Sequence, residues 1–387
     1  VAIVERSAEL GGSINELNSV FLEAKDSEEV FTPLKRAVLE HPNIITYLNS
    51  KVIDIEGFIG NFDVTLQHNG KSKAIPAGAI VLATGSEELK PHGKYMYGED
   101  PKVMTQLELE KKLKEGEFDY KRIVMIQCVG ARNETYPACS RSCCLEAVKN
   151  AIILKKKRPD AQVFILYRDM MMFGKFEDYY RRSQIDYGIR YLRYTPQKPP
   201  ALTKEDGDLY VQVYDILLGD SVKIKADLVI LTTPQVPSKG VEELQEILKV
   251  PLSPNGFFME AHAKIRPLEF TSDGIYLCGA CQSPKELSLI ISQASGAASR
   301  ASSMLSKGSM DSEVITAEVD EDKCIGCGLC TRLCPYGAPI VEEGKAKVLK
   351  VLCKGCGLCA AGCPVMAITI RHFTDEQIVV QLEAMLT

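Results

Sequence analysis

The chain has 387 residues, of which 45% are hydrophobic and 25% charged, a composition typical of a folded protein with two or three domains. The net charge of −5 gives no basis for expecting nucleic acid as a partner, and no apolar run is long enough to predict a membrane span. Fourteen cysteines in a chain without a recognisable export signal predict reduced thiolates that hold metal, in a cytoplasmic and oxygen-poor setting.

The first predicted element is a buried parallel strand over 1–5, and the acid Glu5 stands at its end. In a dinucleotide-binding βαβ unit, an acid at this place accepts hydrogen bonds from the ribose hydroxyls of the cofactor. The Gly-rich phosphate turn of such a unit precedes the acid by about 20 residues, so we expect the complete protein to extend upstream of Val1. We take Glu5 and the turn glycines Gly11 and Gly12 as candidate cofactor contacts.

Two later segments have the pattern found where a flavoprotein backbone meets its flavin. The apolar run 79–85 ends in Ala-Thr-Gly, and the segment 271–280 predicts a strand that delivers its end to the ribityl chain and phosphate. Each segment alone is compatible with an ordinary core strand, but their order along the chain predicts a flavin-binding domain. The candidate contacts in them are Ala83, Thr84, Gly85, Asp273, Gly274 and Gly279.

A second unit lies between these segments. Strands are predicted over 122–127 and 162–167, with a helix from about 144 to 157 between them, which is the order of a nucleotide-binding half. Its first turn is unsuited to a pyrophosphate. Only Gly130 remains where a Gly-rich turn is needed, and bulky side chains hold the backbone amides away from the phosphates.

Four cysteines occupy this altered turn and the start of the helix. Cys128 ends the first strand, while Cys139, Cys143 and Cys144 span the helix start, where the helix dipole favours thiolates. Their convergence would form the ligand set of a [4Fe–4S] cluster, in the space where a nicotinamide lies in a pyridine-nucleotide enzyme. The adjacent pair Cys143 and Cys144 is not a standard cluster spacing, so scattered buried thiols stay open as the alternative.

Further along, Cys278 and Cys281 form a CxxC, for which buried packing thiols are favoured over a redox-active dithiol. A helix rich in small residues is predicted over 287–306, then a polar linker over 307–316. An amphipathic helix is predicted over 374–386. None of the five histidines belongs to a recognisable catalytic pattern.

The most specific motif, C-x2-C-x2-C-x3-C-P, occurs twice, over 324–335 and 353–364. In such a pair, the first three cysteines of each run hold one [4Fe–4S] cluster and the fourth binds the other cluster. Zinc sites use paired cysteines separated by a longer loop, so the motif favours two iron–sulfur clusters. The predicted ligand sets are Cys324, Cys327, Cys330 and Cys363 for one cluster, and Cys334, Cys353, Cys356 and Cys359 for the other.

With these motifs the chain resembles the A-type subunits of heterodisulfide reductase over essentially its whole length. The resemblance rests on the segments 5–12 and 274–296, on the cysteine loop 127–144, and on the twin cluster motifs. It implies an α/β, thioredoxin-reductase-like flavoprotein with two dinucleotide domains and a small α+β bacterial-type 2[4Fe–4S] ferredoxin domain. The implied boundaries are an FAD-binding domain over 1–118 and 235–308, a degenerate NAD(P)-type domain over 119–234, a ferredoxin domain over 309–373 and a terminal helix over 374–387.

The resemblance also implies roles for particular side chains. It makes Cys128, Cys139, Cys143 and Cys144 the ligands of a third cluster, and it adds Lys285, within the segment 282–286, to the cofactor contacts. It further implies that Lys149 faces the flavin ring, where a cation would stabilise the anionic reduced flavin. The alternative for Lys149 is a solvated helix lysine.

The function implied by the family is that of an FAD and iron–sulfur protein that performs flavin-based electron bifurcation. The implied partners are subunits of the B and C type, a hydrogenase or formate dehydrogenase donor module, and ferredoxin, with the whole complex forming a dimer. Alternatives are the same type of protein in a quinone- or acyl-CoA-linked complex, or a flavin-free electron-wire module. A pyridine-nucleotide oxidoreductase of the glutamate-synthase small-subunit type would need the second Gly-rich turn that 128–132 lacks.

Overall fold

The computed structural model describes residues 1–20, 25–116, 118–309 and 315–386, so part of the predicted linker 307–316 lies outside the described residues. Along the first third, the elements are β1 (Ala2–Val4), β2 (Ser19–Val20), β3 (Lys25–Asp26), α1 (Ser27–Leu39), β4 (Ile45–Tyr47), β5 (Ser50–Phe58), β6 (Asn61–His68), β7 (Lys71–Ala77), β8 (Ile80–Leu82), β9 (Ser86–Glu88), β10 (Val103–Thr105) and α2 (Gln106–Glu115).

The middle of the chain continues with β11 (Arg122–Ile126), α3 (Ser142–Lys157), β12 (Gln162–Tyr167), α4 (Phe176–Ile185), β13 (Arg190–Arg193), β14 (Ala201–Glu205), β15 (Asp208–Asp215), β16 (Asp220–Ala226), β17 (Leu228–Leu231) and β18 (Gln235–Pro237). The last third adds α5 (Val241–Leu248), β19 (Ile275–Leu277), α6 (Leu287–Lys307), β20 (Ala317–Val319), α7 (Leu329–Leu333), β21 (Pro339–Glu342), β22 (Lys345–Val348), α8 (Leu358–Ala361), β23 (Ile368–Ile370) and α9 (Asp375–Leu386).

A five-stranded parallel sheet forms the middle of the protein, in the order β10-β17-β11-β12-β13. Its central strand β11 is buried on both faces because successive side chains alternate in direction. Ile123 and Met125 pack with α3, and Val124 and Ile126 pack with the antiparallel sheet β14-β15-β16. Cover on both faces explains the continuous apolar run that predicts this strand.

A second core joins the two ends of the sequence that carry the flavin-like segments. Here β1 pairs in parallel with β4, and β8 pairs in parallel with β19. Tyr47, Leu82 and Leu277 from these pairs pack in one cluster with Phe62 and Leu66 of the antiparallel sheet β5-β6-β7. We call the two strand pairs and this sheet the flavin-type core. Within the described ranges, β1 and β8 each pair along one edge.

The C-terminal segment folds around its cysteines. Strands β20 and β23 pair with each other, as do β21 and β22, and the short helices α7 and α8 pack together. Cys330, Cys353 and Cys359 are buried with Ala338 and Ile368 in a small core of their own. The predicted amphipathic helix is α9, and its described residues are all at least partly exposed.

We predict that Thr105→Ala loosens α2. The Thr105 hydroxyl accepts a hydrogen bond from the Glu108 amide at 3.4 Å, and the Glu108 carboxylate accepts one from the Thr105 amide at 2.9 Å, which is a reciprocal capping box. The variant should lower the free energy of opening of the α2 amides by about 1–2 kcal/mol, measured by native-state hydrogen exchange. Thr105→Ser keeps the hydroxyl and serves as the control. Equal losses in both variants would contradict the capping role.

Candidate functional site

Two small cavities in the C-terminal segment are lined by the cysteines of the twin motifs. One cavity is lined by Cys324, Cys327, Cys330 and Cys363, which we call the first cysteine site. The other is lined by Cys334, Cys353, Cys356 and Cys359, which we call the second cysteine site. The fourth cysteine of each motif thus lines the cavity of the other motif, as in the predicted ligand sets. This crossing arises because α7 and α8 pack together, so that Cys334 after α7 lies in the second cysteine site and Cys363 after α8 lies in the first.

Backbone groups complete both sites. The amides of Ala346, Ala317 and Ala367 donate hydrogen bonds to the sulfurs of Cys324, Cys353 and Cys363, at 3.3, 3.2 and 3.2 Å respectively. Hydrogen bonds from the Ala346 and Gly326 amides lower the pKa of the Cys324 thiol. Amide donors to thiolates stabilise their negative charge and tune the potential of a cluster, so the donor set fits iron–sulfur clusters.

Glycine is required in each cysteine loop by close backbone approach. Gly326 has φ +66°, and a Cβ there would lie 2.2 Å from the carbonyl oxygen of Gly344. Gly355 occupies the same place in the second motif, with φ +61° and a Cβ position 2.6 Å from the carbonyl oxygen of Ile315. At both positions a side chain would clash with a carbonyl oxygen, and the positive φ is one that residues other than glycine rarely adopt.

In the described part of the chain, no three His, Cys, Asp or Glu side chains are grouped closely enough to hold one metal ion together. Each cysteine of a cubic cluster binds a different iron atom. The four sulfurs of a cluster site therefore need not approach one another as the ligands of one tetrahedral ion do.

The four cysteines of the altered dinucleotide turn also come together, and we call them the third cysteine site. Cys128 follows the carboxyl end of β11, and Cys143 and Cys144 lie in the first turn of α3. A hydrogen bond to Cys144, and then burial, raises the pKa of the Cys143 thiol, and the nearby Cys128 and Cys139 raise it further. Burial and the neighbouring thiols Cys144 and Cys139 raise the pKa of Cys128 to about 11. The Cys143 thiol is thus close enough to Cys144, Cys128 and Cys139 to be affected by their charge, while their role as cluster ligands stays a prediction.

The backbone around the third cysteine site is strained. Cys128, Arg132 and Arg141 all have positive φ, of 62°, 56° and 58°, although none is glycine. Arg132 contacts the carboxylate of Asp169 at 2.7 Å, and the Asp169 carbonyl oxygen lies 3.8 Å from the Cys144 sulfur. Strain of this kind persists where surrounding contacts hold it, and it concentrates at functional sites.

Three of the candidate flavin contacts meet at one edge of the flavin-type core. Thr84 and Gly85 follow β8, and Gly279 follows β19, so they lie at the carboxyl ends of two adjacent parallel strands. Ala83 precedes them directly after β8. Dinucleotides bind at this edge in open α/β sheets, so the position fits a flavin. Glu5 follows β1, and its carboxylate accepts hydrogen bonds from the Ser7 amide and hydroxyl at 2.8 Å.

The structure does not bring Asp273 and Gly274 to this edge. They precede β19, at the opposite end of the strand from Gly279. The Asp273 carboxylate instead forms ion pairs with Arg266, at 3.3 Å, and with Lys354 of the C-terminal segment. Asp273 and Gly274 thus lie at the other end of the three-residue strand β19 from Gly279, and their contact with a flavin stays a prediction.

The remaining flavin candidates lie in turns. Gly11 has φ +118°, and a Cβ there would lie 2.4 Å from the Asn15 side chain, which accounts for glycine; Gly12 follows with φ +54°. Lys285 donates to the Ser283 hydroxyl at 2.6 Å, and burial lowers its pKa to about 8. Both turns follow a strand of the flavin-type core, β1 and β19 respectively.

Cys278 and Cys281 are buried beside β8. The Cys281 thiol donates to the carbonyl oxygens of Leu82 at 3.4 Å and Cys278 at 3.1 Å, and burial raises its pKa to about 11. A buried thiol that keeps its proton is a poor nucleophile, which favours packing thiols over a redox-active dithiol.

Lys149 is not a solvated helix lysine. Its side chain is 7% exposed, its ammonium forms an ion pair with the fully buried Glu110, and it donates to the Ser19 carbonyl oxygen at 2.8 Å. The alternative of a solvated lysine is therefore wrong, while the role opposite the flavin stays a prediction. Sequence reasoning missed Glu110 because the pair joins α2 to α3, and a helix acid carries no signal of a distant partner.

Sequence reasoning also missed a buried polar network beneath the third cysteine site. Asn150 donates to Gln106 at 2.9 Å, and both Gln106 and Gln127 donate to the Thr232 hydroxyl, at 2.9 and 3.0 Å. The Gln127 carbonyl oxygen accepts from the Tyr194 hydroxyl at 2.7 Å. The signal that could have revealed this network is a polar residue directly after an apolar strand, as Gln127 is after β11 and Thr232 after β17. The network fixes the carboxyl ends of β11 and β17, next to Cys128.

Comparisons with known proteins agree with this geometry. Residues 317–370 match a family described as a 4Fe-4S dicluster domain. The chain is 43% identical, over 81% of its length and 50% of the relative, to the A-type subunit of the H(2):CoB-CoM heterodisulfide,ferredoxin reductase of Methanothermobacter thermautotrophicus. It is 34% identical, over 100% of its length and 73% of the relative, to an A-type iron-sulfur subunit of the CoB--CoM heterodisulfide reductase of Methanopyrus kandleri. The chain belongs to the family of heterodisulfide reductase A-type subunits.

The chain thus spans between half and three quarters of the length of these two relatives. Its fold is similar to that of the thioredoxin reductase of T. acidophilum, with a TM-score of 0.53 and 16% identity over 80% of this chain and 91% of the reductase. This heterodisulfide reductase A-type chain therefore combines a 4Fe-4S dicluster domain with a thioredoxin-reductase-like fold. Within the described residues, no helix has the length and apolar character that a membrane span needs.

We predict that Cys143→Ala removes about four iron atoms per chain and leaves the iron at the first and second cysteine sites, because separate ligand sets act independently. The measurement is iron per chain in protein reconstituted without oxygen. Cys278→Ala, which removes a buried cysteine outside the three sites, is the control and should keep the full iron content. Unchanged iron in Cys143→Ala would argue against a third cluster.

Proposed function

We propose that this chain is the FAD and iron–sulfur subunit of a heterodisulfide-reductase-type complex and that it bifurcates electrons. A two-electron donor would supply pairs of electrons, of which one goes to a high-potential disulfide acceptor and the other to ferredoxin. The observation that carries the proposal is the placement of cysteines at the carboxyl end of β11, in a fold whose relatives are flavoproteins.

The altered turn supports single-electron chemistry over hydride transfer. A nicotinamide dinucleotide needs a turn without side chains at the end of β11, since the pyrophosphate rests on backbone amides there. This turn presents Cys128 and Arg132, and a Cβ at Gly130 would lie 2.3 Å from Leu89, so the turn is already packed against a neighbouring loop. When bound, FAD accepts two electrons, whereas each [4Fe–4S] cluster carries one.

The residues of this chain would hold these groups at separate places. We assign the third cysteine site to one cluster and the first and second cysteine sites to two more. The carboxyl ends of β8 and β19 would hold the flavin. Lys149 lies on α3, the helix that also carries Cys143 and Cys144, so one helix would link the flavin contact to the third site.

The partners follow from the relatives and are proposed on that basis. One relative is named for H2, the CoB-CoM heterodisulfide and ferredoxin. We propose that this chain likewise works with B- and C-type subunits, a hydrogenase or formate dehydrogenase module and ferredoxin, in a dimer of the complex. The domain boundaries given above belong to this proposal.

The decisive experiment uses the native complex, isolated without oxygen. With H2 or formate as donor, ferredoxin should be reduced only when the CoB-CoM heterodisulfide is also present, since bifurcation couples the two acceptors. Ferredoxin reduction without the disulfide would contradict bifurcation. Isolation with a quinone- or acyl-CoA-linked enzyme would favour that second type of complex, and protein without bound flavin would favour an electron-wire module.

We also predict that NADH does not reduce the flavin of the purified complex, because the turn after β11 has no room for a pyrophosphate. The measurement is the flavin absorbance after anaerobic mixing with NADH. Dithionite is the positive control, since it should bleach the same flavin. Rapid bleaching by NADH would show that a nicotinamide site exists.

A further inference from the structure

The two cysteine motifs of the C-terminal segment differ at one informative place. The residue after the first cysteine is Ile325 in the first motif and Lys354 in the second, although the motifs otherwise agree from the first cysteine to the third. Ile325 is 63% exposed. The Lys354 side chain is 19% exposed, and its ammonium forms an ion pair with Asp273 of the segment that precedes β19.

Asp273 belongs to a charged group on the flavin-type side. Arg266 contacts Asp273 at 3.3 Å and Glu269 at 2.6 Å, and Arg300 of α6 contacts Glu269 at 2.5 Å. These contacts hold the Asp273 carboxylate in place independently of its contact with Lys354. The carboxylate is thus a fixed partner and not a mobile surface acid.

A cavity of about 580 Å³ lies where the C-terminal segment meets this charged group, and we call it the junction cavity. Its walls include Asp273, Tyr276 and Arg300 on one side and Tyr336 and Lys354 on the other. Tyr336 and Lys354 also line the cavity of the second cysteine site. Among the described residues that line the first cysteine site, none lines the junction cavity.

Two further contacts also place the side of the C-terminal segment with the second cysteine site against the rest of the protein. Val351, two residues before Cys353, packs against the flavin-type core. A Cβ at Gly337, three residues after Cys334, would lie 3.8 Å from the Lys249 ammonium at the end of α5. Met366, three residues after Cys363 of the first cysteine site, is 80% exposed, whereas Cys327 and Cys356 are both exposed.

We propose that Asp273 and Lys354 are positioning residues that seat the C-terminal segment with its second cysteine site toward the flavin-type core and its first cysteine site outward. The residues of the two sites would each hold a cluster that exchanges one electron at a time, and the second site would lie between the core and the first site for electrons that pass in either direction. This inference rests on the proposed electron-transfer role, but it concerns the order of the sites, which holds whether or not the complex bifurcates.

The ion pair would also affect the reduction potential of a cluster at the second cysteine site. Reduction adds a negative charge to a cluster, and a nearby ammonium stabilises that charge, so Lys354 raises the reduction potential at the second cysteine site. Asp273 offsets part of this effect. The first cysteine site has the apolar Ile325 in the place of Lys354, and the cation beside it is Lys345, which donates to the Cys324 carbonyl oxygen at 2.8 Å.

The test is a reductive titration of the intact protein with dithionite, followed by electron paramagnetic resonance. Lys354→Ile makes the second motif identical to the first from its first to its third cysteine, so the loop should still fold and the iron content should not change. We expect the potential of one C-terminal signal to become more negative while the other stays in place. Asp273→Asn leaves Lys354 without its counter-charge and should move the same signal to a more positive potential.

Lys323→Ile is the matched control, because Lys323 lies next to Cys324 and is paired with Asp320. It should leave the signal that moves in Lys354→Ile unchanged. Unmoved signals in both Lys354→Ile and Asp273→Asn, or equal shifts of the two signals, would overturn the assignment. Since the titration uses no substrate or partner, loss of bifurcation in the complex would not affect this result.

The seating role has its own readout in hydrogen exchange. Asp273→Asn should speed amide exchange over 271–276 and at the second motif, and leave exchange at the first motif unchanged. Unchanged exchange in both places would show that the ion pair does not hold the C-terminal segment.

Discussion

The architecture depends on what stands at the carboxyl end of β11. A turn that binds pyrophosphate must offer bare backbone amides, whereas a turn that holds a cluster must offer sulfur atoms. One turn cannot do both, and here Cys128 and the first turn of α3 have the second form. The parallel sheet around this turn is of the ordinary dinucleotide-binding type, since its strands are covered by α3 on one face and by β14-β15-β16 on the other. The fold therefore tolerates an exchange of chemistry at one strand end.

The buried strands of the parallel sheet were predictable from the sequence, whereas the antiparallel sheet β5-β6-β7 was not predicted. The continuous apolar runs of β11 and β12 predict buried strands, and the structure has them side by side in one parallel sheet. The sheet β5-β6-β7 was missed although Phe62, Val64 and Leu66 of β6 alternate with polar residues, which is a strand signal; its strand β7 carries no such signal, since its side chains are all exposed or half-buried. The ion pairs of Asp273 could not be predicted for a different reason: a strand motif does not say what the residues at each of its ends contact.

The C-terminal segment shows the same limit between local and distant information. The cysteine sets were predictable because ligand spacing along the chain determines which sulfurs can share a cluster, and the two cavities are lined by the predicted sets. The orientation of the segment on the flavin-type core was not predictable. It depends on the contact of Lys354 with Asp273, which are separated by 81 positions and stand in loops without a periodic pattern. The two repeats predict the ligands that both sites share. The position at which they differ, Ile325 in the first and Lys354 in the second, marks the site that contacts Asp273.

The buried pair of Lys149 and Glu110 connects these parts of the molecule. Lys149 lies on the helix of the third cysteine site, Glu110 on α2, and the Ser19 carbonyl oxygen that accepts from Lys149 belongs to β2. Removing one member of a buried ion pair leaves an uncompensated charge, so the pair holds α3 against α2 and β2 as well as placing a cation there. Replacing Lys149 would therefore move the cysteine helix and remove the charge together. The electrostatic effect on a flavin can be separated from this positional effect only if Glu110 is neutralised at the same time, which restores a neutral and compact contact.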